Sequence, residues 1–185
     1  IARLHFEGRP AMLIKEFGTE RKAALWVLSA DDPGPLEKLG PEPDSDAFAD
    51  FIRTGEDRRR LHTMLRDQRT VAGIGRGFAD DILHDAKLAP FDPLSSLNSD
   101  QREALLTSTH RALDAALERE RTREGGLPTK MQGRFVVHNK YGEACPRCGD
   151  TLRRVSYESY EVTYCATCQT KGKVLADRRM SRLLK

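Results

Sequence analysis

Gly142-Glu-Ala-Cys-Pro-Arg-Cys-Gly149 and Thr163-Tyr-Cys-Ala-Thr-Cys-Gln169 carry all the cysteines of the chain, Cys145, Cys148, Cys165 and Cys168. Each C-x2-C pair fits a tight turn that aims two sulfurs at one tetrahedral ion, and the sixteen residues between the pairs suit a β-hairpin. Two disulfides or a redox C-x-x-C are the other uses of such pairs. Both pairs are complete and no cysteine is left over, which favours a single Zn2+ held by four thiolates. A site closed by four protein ligands is structural and has no open position for chemistry.

Upstream of this module the chain reads Leu65-Arg-Asp-Gln-Arg-Thr-Val-Ala-Gly-Ile-Gly-Arg-Gly-Phe-Ala-Asp-Asp-Ile-Leu-His84. A helix is expected over roughly 57–67, with Leu61, Met64 and Leu65 on one side, and another over 76–86, with Phe78, Ile82 and Leu83 apolar. The Gly-Ile-Gly between them lets the backbone turn tightly and leaves no side chain in the way of a phosphate. The amides opening the second helix would then face an anion at the positive end of the dipole. A plain helix hairpin whose glycines only permit close packing is the alternative. Further helices are expected over 45–54 and from Asn98, which with Gln101 resembles a capping box, to about 121, with Leu105, Leu106, Leu113 and Leu117 as its buried stripe.

The amino-terminal stretch is different. Arg3–Phe6, Ala11–Ile14 and Ala24–Leu28 are strand-like runs, read as the end of an antiparallel sheet, and the Pro-, Gly- and Asp-rich residues after them are read as a linker. Ile1-Ala-Arg-Leu-His-Phe6 looks like the middle of a strand, so an amino-terminal portion is expected to precede it. No apolar run approaches a membrane span and no signal-peptide pattern opens the chain, and a reducing cytoplasmic compartment suits thiols used for metal. Net charge is +3, but residues 145–185 carry nine Lys/Arg against four Asp/Glu, a local +5 that leaves −2 for the rest. A basic metal module on a near-neutral body points to a polyanion such as nucleic acid, with a solvated basic tail as the alternative.

Together these segments resemble the Fpg/Nei family of DNA glycosylases, enzymes that excise oxidised bases. The resemblance rests on Leu39–Asp46, on Leu65 to Leu83, and on the two cysteine stretches, in the family's order and spacing. It implies an α+β chain: the remnant of an antiparallel β-sheet domain (1–30), a linker (31–46), a mainly helical helix-two-turn-helix domain (47–144), a β-hairpin zinc finger (145–170) and a basic tail (171–185). It also implies that the Gly75–Arg76 turn, Tyr160 of the zinc hairpin and Lys140 hold the phosphates of double-stranded DNA bearing a damaged base or an abasic site. The implied protein is a bacterial, nucleoid-associated monomer.

The departures matter as well. The family's nucleophile is an amino-terminal proline followed by glutamate. Neither this start nor the catalytic lysine of the first domain has a counterpart here, so no catalytic residue is assigned. Arg76 stands where the family usually has asparagine, and Tyr160 where it has arginine. Arg153 and Arg154 are candidates to compensate, or ordinary exposed charges. Thr19 to Ala24 occupy the region of a gap-filling Arg-Arg-Phe-Gly motif, without its Phe-Gly. The leading expectation is the DNA-binding part of a glycosylase/AP lyase. The alternatives are a catalytically inactive, zinc-dependent DNA-binding protein and a zinc-ribbon protein-interaction module. Five scattered histidines are expected to be packing or surface residues, and Asp80-Asp81 to lie on a solvated face.

Overall fold

A computed structural model describes residues 2–16, 23–124, 135–157 and 160–176. The chain folds as two units, Ile1–Glu37 and Lys38–Lys185. In the first, β1 (Ala2–Phe6) and β2 (Arg9–Ile14) form an antiparallel hairpin with Arg3 opposite Leu13 and Leu4 opposite Met12. The third strand-like run, at 24–28, forms no strand, and Leu25, Trp26 and Val27 are exposed. Residues 19–22 and 177–185, which hold most of the expected gap-filling region and of the basic tail, lie outside the described residues.

The second unit is helical, with a small two-stranded sheet. Ser45 caps α1 (Asp46–Thr54) by accepting the Phe48 N–H. Asn98 and Gln101 close a reciprocal capping box at the start of α4 (Ser99–Arg121), as their spacing predicts. Phe48 and Ile52 of α1 and Leu105 and Leu106 of α4 share one core with Leu61, Met64 and Leu65 of α2 (Leu61–Arg66) and with Ile82 and Leu83 of α3 (Arg76–Asp85). The predicted stripe of α4 stops halfway. Leu113 is half-buried and Leu117 is 49% exposed, while Arg102, Ser108 and Thr109 are buried. Arg102 reaches the end of α1, donating to the carbonyls of Ile52 (2.7 Å) and Gly55 (2.9 Å), the end of a helix that favours a cation.

Helix α2 begins at Leu61 rather than near residue 57. Asp57 accepts the Arg59 N–H (2.8 Å), a local bond that competes with a helical start. The amides of Leu61 and His62 then pair with the carbonyls of Asp92 and Pro90. Arg59 bridges Asp57 and Asp67, both at 2.6 Å, so one guanidinium joins the approach to α2 with its exit.

The zinc module is the hairpin β3 (Leu152–Ser156) and β4 (Glu161–Cys165), with Arg153 opposite Tyr164 and Val155 opposite Val162, followed by α5 (Ala166–Thr170). No helix among the described residues is long and apolar enough to cross a membrane.

Candidate functional site

The four cysteine sulfurs lie within 4.8 Å of one another, Cys145 to Cys168 at 3.9 Å and Cys148 to Cys165 at 3.5 Å. A tetrahedral ion with bonds of about 2.3 Å needs sulfur–sulfur edges of about 3.8 Å, so the cluster fits one Zn2+. Burial pushes the Cys165 thiol up to about 12 and raises Cys168 as well. At Cys145 burial is outweighed by the amides of Cys148 and Arg147, which bring that thiol below its ordinary range. A divalent cation offsets the cost of gathering thiolates in such a place.

Helix α3 is the spine on which this module sits. In its last turn, buried His84 places Nε2 3.2 Å from Cys145 Sγ, in position to donate to a metal thiolate. Burial, then the Arg147 charge, lowers the His84 pKa and so disfavours the charged imidazolium. Arg147, between the first two cysteines, donates to the carbonyls of His84 (2.6 Å) and Asp85 (3.1 Å), and so covers the carboxyl end of α3. Gln169, beside the last cysteine, accepts from the Cys165 N–H (2.8 Å) and donates to the Leu88 carbonyl (2.9 Å).

In the middle of α3, Asp80 and Asp81 are buried, which corrects the expectation of a solvated face. Asp81 accepts the backbone N–H groups of Val136 (2.7 Å), Val137 (2.8 Å) and His138 (3.2 Å). Burial nonetheless raises its pKa, against those three amides. Asp80 accepts the Thr163 N–H of β4 (3.1 Å) and bonds His138 Nδ1 (2.6 Å). His62 Nε2 of α2 stands 3.2 Å from the other Asp80 oxygen, an ion-pair distance without hydrogen-bond alignment. The two carboxylates thus fasten the pre-zinc loop and the hairpin to α3. The geometry that satisfies them lies more than fifty residues away, so no local pattern signals it.

At its other end α3 opens on a depression lined by Thr63, Arg66, Asp67, Gly75 and Arg76. Gln68 shapes the turn before it, accepting from Gly73 N–H and donating to the Ile74 carbonyl, both at 2.8 Å. Gly73 takes φ +79°, which a glycine adopts without strain. Gly75, the residue before α3, is extended, with open space where a Cβ would stand, and offers no side chain of its own to cap the helix. Gly77 serves packing: a Cβ there would meet the Phe135 ring at 2.3–2.6 Å.

Of the four expected phosphate contacts, Gly75 and Arg76 line this depression. Tyr160 reaches it through Arg66, whose guanidinium carbon lies 3.8 Å from the centre of the Tyr160 ring. Lys140 is not among the lining residues; it sits in a tight turn before the first cysteine pair, its N–H donating to the Val137 carbonyl. Arg154 is taken up by Glu161 (2.9 Å) and by the Tyr141 ring (4.4 Å). Residues 58–76 hold six arginines against one acidic residue, Asp67, a cationic density that the separate motifs do not reveal.

Fold and site define a helix-two-turn-helix protein carrying a four-cysteine zinc hairpin. Residues 39–125 match the model of the formamidopyrimidine-DNA glycosylase H2TH domain, and residues 142–171 that of the zinc finger found in FPG and IleRS. An uncharacterised formamidopyrimidine-DNA glycosylase-like protein of Mycobacterium tuberculosis is 44% identical over 131 residues, covering 68% of this chain and 80% of that protein. The formamidopyrimidine-DNA glycosylase of Thermus thermophilus is 36% identical over 148 residues, 74% of this chain and 55% of the relative. The crystal structure of the Thermus MutM (Fpg) protein superposes with a TM-score of 0.61 at 33% identity, covering 72% of this chain and 55% of that one. Lactococcus lactis Fpg in complex with DNA containing an abasic site superposes with a TM-score of 0.61 at 26% identity, covering 73% and 53%. The chain belongs to the formamidopyrimidine-DNA glycosylase family. It spans about half the length of the Thermus enzyme and of the Lactococcus protein.

Proposed function

We propose that the chain is a zinc-dependent DNA-binding module that grips the sugar-phosphate backbone of duplex DNA carrying a damaged base or an abasic site. One observation carries this reading. Helix α3 opens on the depression at Gly75 and Arg76, and the same helix fastens the zinc hairpin through Asp80, Asp81 and His84. The backbone amides of a helix start and the arginines at that end suit phosphate oxygens. Two fastened contact points on one strand suit a distorted duplex, since extruding a nucleotide costs a few kcal/mol that backbone contacts must offset. In this reading Gly75, Arg76 and Tyr160 form one contact region, and Lys140 adds a cation beside the zinc knuckle. The abasic-site DNA held by the Lactococcus relative supports the choice of partner.

Fluorescence anisotropy with a duplex containing a tetrahydrofuran abasic analogue tests the reading. About three phosphate contacts give a log–log salt slope near −3, or a roughly 50-fold loss between 50 and 200 mM salt. Binding that is insensitive to salt would point instead to a protein-interaction module.

A second reading, base excision with strand cleavage, draws on the glycosylase relatives. Borohydride trapping on an abasic-site duplex distinguishes the two. An amine nucleophile forms a Schiff base with the opened sugar, and reduction makes the link permanent. The binding-module reading predicts no covalent adduct.

A further inference from the structure

Arg66 was no part of the sequence expectation, yet it joins the depression to the zinc hairpin. It lines the depression with Gly75 and Arg76, while its guanidinium lies over the ring of Tyr160 at 3.8 Å. That ring is itself held. Tyr157 stacks on it at 4.5 Å with planes 12° apart, and the Tyr157 N–H donates to the Tyr160 carbonyl to close the hairpin turn. The Tyr157 hydroxyl in turn accepts from Arg60 Nη1 (2.6 Å). Among the described residues the Arg66 guanidinium makes no ion pair, in contrast to Arg59 and Arg154.

We propose that Arg66 is the phosphate-binding cation of the hairpin face and that Tyr160 is its platform, not itself a phosphate ligand. This rests on the DNA-binding reading above and reassigns the role of Tyr160 within it. A guanidinium stacked on a ring keeps its N–H donors in the plane parallel to that ring, where they can fork onto two oxygens of one phosphate. The stack also limits the rotamers of a long side chain before DNA arrives, so less freedom is lost on binding. A phenol hydroxyl would add one hydrogen bond and no charge. The ladder from Tyr157 through Tyr160 to Arg66 brings a full charge to the same place from α2.

Five variants measured against the tetrahydrofuran duplex decide the matter, each first checked for one zinc per chain and a native circular dichroism spectrum. Tyr160→Phe keeps the ring and should bind within about twofold of the parent. Tyr160→Ala should weaken binding about fivefold, and Arg66→Gln about tenfold with the salt slope reduced by about 0.9, one phosphate contact. The double variant Arg66→Gln/Tyr160→Ala should be no weaker than Arg66→Gln alone, because the platform acts only through the arginine. Arg66→Lys, which retains charge without the fork, should fall between the parent and Arg66→Gln and serves where Arg66→Gln loses zinc. A loss in Tyr160→Phe equal to that in Tyr160→Ala overturns the proposal, as does parental affinity and slope in Arg66→Gln. If the parent shows no salt-dependent binding, both the DNA-binding reading and this assignment fail; if the parent binds and Arg66→Gln is unchanged, only the assignment fails.

Discussion

His84 Nε2 lies 3.2 Å from Cys145 Sγ, so the last turn of α3 touches the metal centre while its first residue, Arg76, opens on the depression. Residues 76, 80 and 84 are spaced four apart, which sets them along one side of the helix. A single helix therefore ties the position of the zinc module to that of the turn at Gly75 and Arg76, the proposed phosphate contact. The zinc does no chemistry. It fixes where the hairpin stands.

Replacing His84 by Ala removes a donor from a metal thiolate and should weaken zinc binding by about 10- to 100-fold. Competition with a chromogenic chelator measures it. Helix content should hold, because the core that α3 shares with α1, α2 and α4 does not include the cysteines.

Asp81→Ala leaves three backbone N–H groups without their acceptor. The expected cost is about 2–4 kcal/mol, seen as a thermal midpoint lower by about 5–12 °C. Asp81→Asn keeps an acceptor oxygen and should lose less than half as much.

Gly77→Ala would set a methyl group 2.3–2.6 Å from the Phe135 ring. Displacing the ring should cost about 1–3 kcal/mol in chemical denaturation. Shortening the obstacle with Phe135→Leu should recover part of that loss, which a simple rise in helix propensity would not do.

Arg59 gives the protein an acid-sensitive tie. Its hydrogen bond is the largest cause holding Asp57 below the ordinary carboxylate pKa; Asp67 is held low first by the Arg69 amide and then by Arg59. Because both folded values are depressed, the stability they add is present above the unfolded carboxylate pKa of 3.8 and is lost as pH falls through the depressed values. Arg59→Gln should therefore lower the urea midpoint near pH 7 and converge with the parent once the pH has fallen below the depressed values of Asp57 and Asp67.

The features legible in the sequence are those whose reason is local. The C-x2-C pairs, the Asn98–Gln101 box and the Gly-Ile-Gly turn announce themselves because each is completed within a few residues. The burial of Asp80 and Asp81 does not, since their partners come from the pre-zinc loop and from β4, and acidic residues on a short helix otherwise read as solvated. Arg66 was hidden for the same reason: its partner Tyr160 lies across the fold. Leu117 is exposed although it shares the apolar face, because a helical period says which residues share a face, not how far along the helix that face is covered. The fully buried positions of α4 end at Thr109.

The most direct measurement is the affinity for the abasic-analogue duplex of zinc-loaded protein, of protein stripped with a chelator, and of stripped protein given zinc again. The account predicts at least about a tenfold loss on stripping, recovery on reloading, and a retained helical circular dichroism signal throughout. Equal affinity with and without zinc would contradict it, since the hairpin would then have no part in holding DNA.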